Sequence, residues 1–120
     1  MDSKMSRMLN LQFIFISSII MIHYFPIAIS TKWCVANTAS TNVQLQANIN
    51  FGCSQGVDCS QIRSGGSCFS PNTLINHASY VMNAYYQSHG RTTEACNFIF
   101  GNTGMFTTIN PSYGGCVFRS

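Results

Sequence analysis

The sequence predicts a small α+β domain that is rich in disulfides. Six cysteines lie between residues 34 and 116 of the 120-residue chain, and an even number of cysteines in a short secreted chain is typical of a disulfide framework. Residues 71–89 have the periodicity of a helix, and short apolar runs that are typical of strands lie on either side of it. A domain of about 90 residues has only a modest core, so we expect each disulfide to stabilise it by about 2–4 kcal/mol.

Residues 1–30 predict a secretory signal peptide. Two basic residues lie in a short polar start, and an apolar run follows from residue 8 to about residue 29. The run ends in Ala28-Ile29-Ser30, a small-x-small pattern that suits signal peptidase. An uncleaved membrane anchor is the alternative, because the run approaches the length that spans a bilayer. We favour cleavage after Ser30, since polar residues interrupt the run, and this leaves 31–120 as the mature domain.

The charge of the mature domain excludes some classes of partner. Residues 31–120 carry four basic and two acidic side chains, a net charge of +2. Nucleic-acid binding needs clustered Lys and Arg, so we expect no nucleic-acid partner. No apolar tail follows the last cysteine, so we expect no membrane anchor in the mature chain, and we expect the domain to be a monomer.

The reactive side chains of the mature domain do not predict an enzyme. Glycoside hydrolysis usually needs two positioned carboxylates, and nothing in the sequence brings Asp58 and Glu94 together. There is no nucleophile-elbow motif, and the cysteines are assigned to disulfides. A zinc site is disfavoured because there is no C-x-x-C motif and because His77 and His89 lack ligand spacing to a cysteine pair. We therefore expect no catalytic residue, no metal and no cofactor.

The first half of the mature domain contains a strand, an ambiguous segment and a loop. Trp33–Ala36 is a short apolar run that indicates a strand. Residues 43–51 alternate between apolar and polar side chains, which favours a strand, whereas Thr41 and Gln44 fit a capping box, which favours a helix. Residues 52–69 contain four glycines, so we expect a loop whose backbone is held by the cysteines.

The clearest element is a helix over 71–89. Ser70 is a good N-cap, Pro71 suits the first helical position, and Gly90 is a natural stop. Apolar side chains recur on one face, which we expect to pack into the core: Leu74, Ile75, Ala78, Val81, Met82 and Tyr85. The chain after the helix is irregular, with strand candidates at 98–100, 105–109 and 116–118 and a turn at 110–115.

Another face of this helix carries a stripe of amide side chains around one aromatic ring. The stripe recurs at i, i+4, i+7 and i+11: Asn76, Tyr80, Asn83 and Gln87. An aromatic ring packs against the apolar face of a sugar, and neutral amides bind its hydroxyl groups, so the stripe suits a neutral polysaccharide. The alternative is a solvated helix face with Tyr80 half-buried at its edge. Tyr113, in a turn, and Tyr86, whose default place is the core, are further aromatic candidates.

Eight short motifs follow one another along residues 33–118: Trp33-Cys34-Val35-Ala36, Leu45-Gln46-Ala47, Cys53-x-x-Gly56-x-Asp58-Cys59, Gly66-x-Cys68-Phe69-x-Pro71-Asn72, His77-Ala78-Ser79-Tyr80, Asn83-x-Tyr85-Tyr86-Gln87, Cys96-x-Phe98 and Pro111-Ser112-Tyr113-Gly114-x-Cys116. Their types and order resemble the X8 domain of plants, which is carbohydrate-binding module family 43. The resemblance covers nearly the whole mature domain.

The resemblance implies a fold, a disulfide pairing and a function. The implied fold has two helices, a short antiparallel sheet and long loops, and it makes 41–52 a helix. The implied disulfides are Cys34–Cys96, Cys53–Cys59 and Cys68–Cys116. The implied ligand is β-1,3-glucan, including callose, bound by a non-catalytic domain that occurs beside glucanases and also alone, at plasmodesmata. We therefore expect a secreted glucan-binding protein of the plant cell wall, with a carbohydrate site formed by Tyr80, Asn76, Asn83, Gln87, Tyr86 and Tyr113.

A second function stays open from the residues alone. A small secreted cysteine-rich protein can instead act on a protein partner, as an inhibitor, a signal or a defence protein. The weak positive charge permits this, but the helix 71–89 contains no Lys or Arg, whereas membrane-active helices are basic. Saturable affinity for laminarin, a soluble β-1,3-glucan, distinguishes the two functions.

Overall fold

The computed structural model describes residues 31–120. The predicted signal peptide and its cleavage after Ser30 lie outside the described residues. Five elements follow in chain order: strand β1 (Trp33–Ala36), helix α1 (Asn42–Ser54), a 3-10 helix (Cys59–Ile62), helix α2 (Leu74–Ser88) and strand β2 (Gly104–Thr107). The prediction of a small α+β domain with two helices, a short antiparallel sheet and long loops is confirmed.

The sheet consists of β1 and β2, which pair antiparallel with Trp33 opposite Thr107 and Ala36 opposite Gly104. The prediction of a strand at Trp33–Ala36 is confirmed. Helix α2 packs against β1, α1 and the 3-10 helix, so it is the central element of the domain.

Helix α1 begins with the capping box that the sequence contains. Thr41 Oγ1 accepts a hydrogen bond from Gln44 N at 3.1 Å, and Gln44 Oε1 accepts one from Thr41 N at 2.9 Å. These bonds satisfy N–H groups that the start of a helix leaves without partners. Residues 43–51 therefore form a helix and not a strand, and Leu45 and Ile49 are its buried apolar side chains.

Helix α2 begins three residues later than its predicted start at 71. The N-cap is Thr73 and not Ser70, because Thr73 Oγ1 accepts a hydrogen bond from Asn76 N at 3.3 Å. The helix ends as predicted, since Gly90 adopts a left-handed φ of 85° and Arg91 N then donates to Tyr86 O at 3.1 Å. Such a left-handed glycine satisfies carbonyl groups of the last turn.

The core lies between α2, α1 and β1. The predicted apolar face of α2 is buried at Ala78, Val81, Met82 and Tyr85. Gly52 of α1 lies directly against the Val81 side chain, so that a Cβ atom at this position would overlap Val81 Cγ1. The absence of a side chain at Gly52 therefore lets the two helices approach closely.

Three disulfides join the loops to this core. Cys34 pairs with Cys96, Cys53 with Cys59 and Cys68 with Cys116, at Cα–Cα distances of 5.7, 5.7 and 4.7 Å. This is the pairing that the resemblance implies. No group of three or more His, Cys, Asp or Glu side chains within 31–120 is placed to hold a metal ion. Neither α1 nor α2 is long and apolar enough to cross a bilayer.

The segments outside α1 and α2 depart from the predictions in several places. Residues 98–100 form turns and not a strand, because Asn102 N donates to Asn97 O at 2.8 Å and folds the chain back on itself. Strand β2 covers only part of the predicted 105–109. The predicted strand 116–118 is reduced to an isolated bridge between Tyr113 and Cys116. The predicted loop 52–69 contains the end of α1 and the 3-10 helix.

Candidate functional site

Only part of the predicted stripe on α2 reaches the surface. Asn76 and Tyr80 lie one turn apart on the same side of the helix, and both are half-buried. Asn83, the next member of the stripe, is only 1% exposed. The prediction that Asn83 lies on an exposed polar face is therefore wrong.

Asn83 is buried because it links the two ends of the domain to α2. Its Oδ1 atom accepts a hydrogen bond from Cys34 N at 3.1 Å, and its Nδ2 atom donates to Arg119 O at 2.8 Å. A buried backbone N–H needs a partner, and β1 here obtains one from the helix and not from a neighbouring strand. The amide of Asn83 is thus occupied by the protein's own backbone.

Gln87 and Tyr86 also hold the domain together. Gln87 Nε2 donates to Lys32 O at 3.0 Å and to Asn83 Oδ1 at 3.2 Å, so its donor hydrogens are used at the start of β1. Tyr86 is 5% exposed, and its ring packs against Phe106 of β2 with a centroid distance of 5.4 Å. Tyr86 thus lies in the core, whereas Gln87 is half-buried with its donor hydrogens bound within the domain.

Tyr80 and Tyr113 are far apart in sequence, but both of their rings contact the ring of Phe118. The ring centroids of Tyr80 and Phe118 are 5.7 Å apart in an edge-to-face arrangement, and those of Tyr113 and Phe118 are 6.3 Å apart. Both tyrosines are half-buried, whereas Phe118 is buried beneath them. We call this group, together with Asn76, the Tyr80 surface.

The backbone around Phe118 fixes the geometry of the Tyr80 surface. Phe118 N donates to Ser112 Oγ at 2.8 Å, and Phe118 O accepts a hydrogen bond from Trp33 Nε1 at 3.2 Å. Tyr113 and Cys116 exchange two backbone hydrogen bonds of 3.0 and 2.8 Å, and Cys116 is covalently joined to Cys68. The two tyrosine rings are therefore presented by a constrained turn and by a helix.

The charges of Asp58 and Arg119 have opposite effects on the pKa of Tyr80. Burial raises the pKa of the Tyr80 hydroxyl, and the negative charge of Asp58 raises it further, while the positive charge of Arg119 acts in the opposite direction. Tyr80 is therefore a neutral phenol at physiological pH, able to donate and to accept a hydrogen bond. Hydrogen bonds from the Ser60 hydroxyl and the Ser60 backbone lower the pKa of Asp58, so Asp58 is a carboxylate whose charge reaches that phenol.

The Tyr80 surface therefore combines the groups that bind a neutral sugar. Two partly exposed rings offer apolar area, and a phenol, a carboxylate and the Asn76 amide supply hydrogen-bonding atoms. The hydroxyl of Tyr113 is buried without a hydrogen-bond partner among residues 31–120. A buried polar atom of this kind is normally satisfied by water or by a ligand.

Sequence reasoning missed Phe118 and the proximity of Asp58 and Arg119 to Tyr80. Phe118 follows Cys116 by two positions, and a side chain so close to a disulfide is a candidate for the core, but this gives no information on which rings it contacts. The position of Asp58 depends on the 3-10 helix that it caps, with Ser60 N and Ser60 Oγ donating to Oδ1 at 3.1 and 2.6 Å.

Comparison with known proteins identifies similar domains. A family model of the X8 domain matches residues 32–103. The chain is 50% identical over 90 residues to the major pollen allergen Ole e 10 of Olea europaea, a match that covers 74% of this chain and 72% of the allergen. The family match includes Asn76, Tyr80 and Asp58 and ends before Tyr113.

Two other relatives are longer than the matched region. The chain is 56% identical over 89 residues to a glucan endo-1,3-beta-glucosidase of Triticum aestivum, and this match covers 74% of the chain and 19% of the glucosidase. It is 38% identical over 91 residues to plasmodesmata callose-binding protein 2 of Arabidopsis thaliana, covering 76% of the chain and 46% of that protein. The chain thus spans about a fifth of the glucosidase and about half of the callose-binding protein.

Proposed function

Because the chain belongs to the X8 domain family, we propose that it is a non-catalytic module that binds β-1,3-glucan, including callose, in the plant cell wall. The observation that carries the proposal is the convergence of Tyr80 and Tyr113 on Phe118, one helical turn from the Asn76 amide and within reach of the charge of Asp58. The names of the relatives support it, since they include an endo-1,3-beta-glucosidase and a callose-binding protein. The relatives are plant proteins.

The placement of the acidic residues supports a binding role over a hydrolytic one. Asp58 acts on Tyr80, whereas Glu94 lines a groove with Tyr85 and His89, which lie on a different side of α2. Acid catalysis of glycoside hydrolysis usually uses two carboxylates that flank one bond. Asp58 and Glu94 thus act on different sides of α2, an arrangement that favours holding a glucan over cleaving it.

The place of action follows from the predicted signal peptide. Cleavage after Ser30 would release residues 31–120 outside the cell, where the disulfides are stable. We propose a secreted monomer of the cell wall, with plasmodesmata as one location where callose is found. Its partner is the polysaccharide itself.

Titration with laminarin tests the proposal. The oxidised domain, secreted by a eukaryotic host that expresses the full chain, is titrated with laminarin and with cellulose oligomers as the control. Covering the exposed third of a large side chain contributes about 0.5–1 kcal/mol, and aromatic geometry adds about 0.5–1.5 kcal/mol. We therefore expect Tyr80→Ala to weaken laminarin binding at the Tyr80 surface roughly five- to seventyfold.

Two further variants make the result specific. Tyr80→Phe keeps the ring and removes one hydrogen bond, which is worth about 0.5–1.5 kcal/mol, so its loss should be about two- to tenfold. Val43→Ser changes a side chain that is 81% exposed on α1 and should leave the affinity unchanged. A folded parent that does not bind laminarin would refute the proposal, and a folded Tyr80→Ala variant that binds like the parent would remove Tyr80 from the site.

A further inference from the structure

A second surface with an exposed aromatic ring lies on the turns after α2. Phe98 is 76% exposed and the adjacent Ile99 is 38% exposed. Two shallow grooves of about 330 and 300 Å³ meet at Ile99, which lines both. We call Phe98, Ile99 and these two grooves the Phe98 surface.

The Phe98 surface and the Tyr80 surface face different ways. One groove of the Phe98 surface is lined by Tyr85 and His89 of α2 and its C-cap. An α-helix turns by about 100° per residue, so the nine positions from Tyr80 to His89 amount to about two and a half turns. The two surfaces therefore lie on opposite sides of α2, and one short ligand does not cover both.

His89 gives the groove a flat and fixed wall. Its ring stacks on the Tyr85 ring with a centroid distance of 3.8 Å and an interplanar angle of 14°. Nδ1 lies 2.9 Å from Tyr85 O and 3.0 Å from Ser88 Oγ, and we assign the proton to Nδ1 so that it donates to the carbonyl. In the neutral ring Nε2 is then an acceptor. Glu94 lines the same groove and offers a second acceptor for ligand hydroxyl groups.

The chemistry of the Phe98 surface favours a neutral polymer chain over a protein. Neither groove is lined by Lys or Arg within residues 31–120, so the surface has no positive charge for an acidic partner. An aromatic side chain contributes about 150–250 Å² when it is covered, so Phe98 and Ile99 supply far less than the about 800 Å² per partner of a stable protein interface. An exposed ring between two open grooves with acceptor atoms instead suits an extended chain of sugar rings.

We propose that the Phe98 surface is a second β-1,3-glucan site, so that one domain binds two glucan segments at the same time. The proposal rests on the glucan binding proposed above and adds a second contact to it. Glucan rings would pack on Phe98 and on the His89 ring, and their hydroxyl groups would donate to Nε2 of His89 and to Glu94. A domain with glucan on opposite sides of α2 would join neighbouring glucan strands.

Native mass spectrometry with laminaripentaose tests the second site, because it counts the ligands bound to each monomer. We expect up to two molecules on the parent and one each on Phe98→Ser and Tyr80→Ala, with the remaining affinity within about twofold of the parent because effects at distant sites add independently. Ile109→Ser is the matched control, since Ile109 is 79% exposed on another turn, and it should still bind two. Phe98→Ser should fold normally, because exposed substitutions change the stability by only about 0.5 kcal/mol.

The other outcomes separate this proposal from the first. No laminaripentaose on the parent would refute glucan binding altogether. If the parent and Phe98→Ser each bind one molecule, the proposed glucan binding stands and the second site is overturned. Loss of both molecules in Phe98→Ser would also overturn it, since a single site would then explain all binding. A free dimer that Phe98→Ser dissociates would assign the surface to a second copy of the chain.

Discussion

Replacement of Asn83 by alanine should destabilise the domain without acting on the glucan site. The amide of Asn83 is buried and bridges Cys34 N of β1 and Arg119 O of the C-terminal segment. Alanine removes both of these bonds and also the bond that Asn83 Oδ1 accepts from Gln87 Nε2. The C-terminal segment would lose its bond to α2 at Arg119, while the first strand would keep the bonds of Gln87 to Lys32 O and of Ser79 to Ala36 N.

The magnitude follows from the burial of the two backbone groups. Cys34 is fully buried, so its N–H would be left without a partner at a cost of about 1–3 kcal/mol. Arg119 is exposed, and water can replace the amide at its carbonyl, so we assign this bond an ordinary net value of about 1 kcal/mol. The expected loss of unfolding free energy is about 2–4 kcal/mol, a large share of the about 5–15 kcal/mol of a typical domain.

Urea unfolding of the oxidised domain measures this loss. With a slope of about 1 kcal/mol per M for a small domain, the midpoint should fall by roughly 2–4 M. Asn76→Ala is the matched control on the same helix, since Asn76 is half-buried and should move the midpoint by less than about 0.5 M. An Asn83→Ala variant with the parent's midpoint and a weakened affinity for laminarin would refute the structural role and return Asn83 to the binding surface.

Two further predictions concern the core and the 3-10 helix. Tyr85 packs against Phe51 and Phe100 with ring centroids 5.4 and 5.5 Å apart, so Tyr85→Ala should lower the unfolding free energy by about 3–5 kcal/mol; a urea midpoint equal to the parent's would contradict its place in the core. The pKa of Asp58 is lowered in the folded state by its hydrogen bonds with Ser60, so the carboxylate stabilises the fold above its unfolded pKa, and this contribution is lost as the pH falls through the folded pKa. Acidification should therefore lower the melting temperature of Asp58→Asn by less than it lowers that of the parent. Equal decreases in the two proteins would show that the Asp58 carboxylate does not contribute to the pH dependence of stability.

Helix α2 was predictable because its signals are local, whereas α1 was ambiguous from its residues and was decided by the family resemblance. The capping box of Thr41 and Gln44 fixes the start of α1 within four residues of chain. The apolar face of α2 is a periodic pattern, and Gly90 provides the stop. The predicted start of α2 was wrong because Ser70 is the better N-cap by residue type, and only the hydrogen bond from Asn76 N identifies Thr73 as the N-cap.

The candidate site was only partly predictable because it depends on contacts between distant residues. Tyr80 and Tyr113 were found from their residue types, but the ring that brings them together, Phe118, is defined by tertiary packing. Asn83 has the same spacing and chemistry as an exposed sugar-binding amide. It is buried because β1 and the C-terminal segment cross α2 at that position, and neither crossing leaves a pattern in the sequence.

The hydrogen bonds of Asn83 to β1 and to the C-terminal segment also determine how the domain can be joined to other chains. Trp33 Nε1 donates to Phe118 O, so the first strand and the last residues of the domain lie side by side. Domains whose ends are adjacent tolerate insertion and circular permutation. A short linker could therefore connect the two ends, and new ends could be opened at the exposed residues Ser64 and Gly65 without separating the residues of the Tyr80 surface. The same geometry would let the domain be inserted at a single position of a longer protein, because its two ends lie side by side.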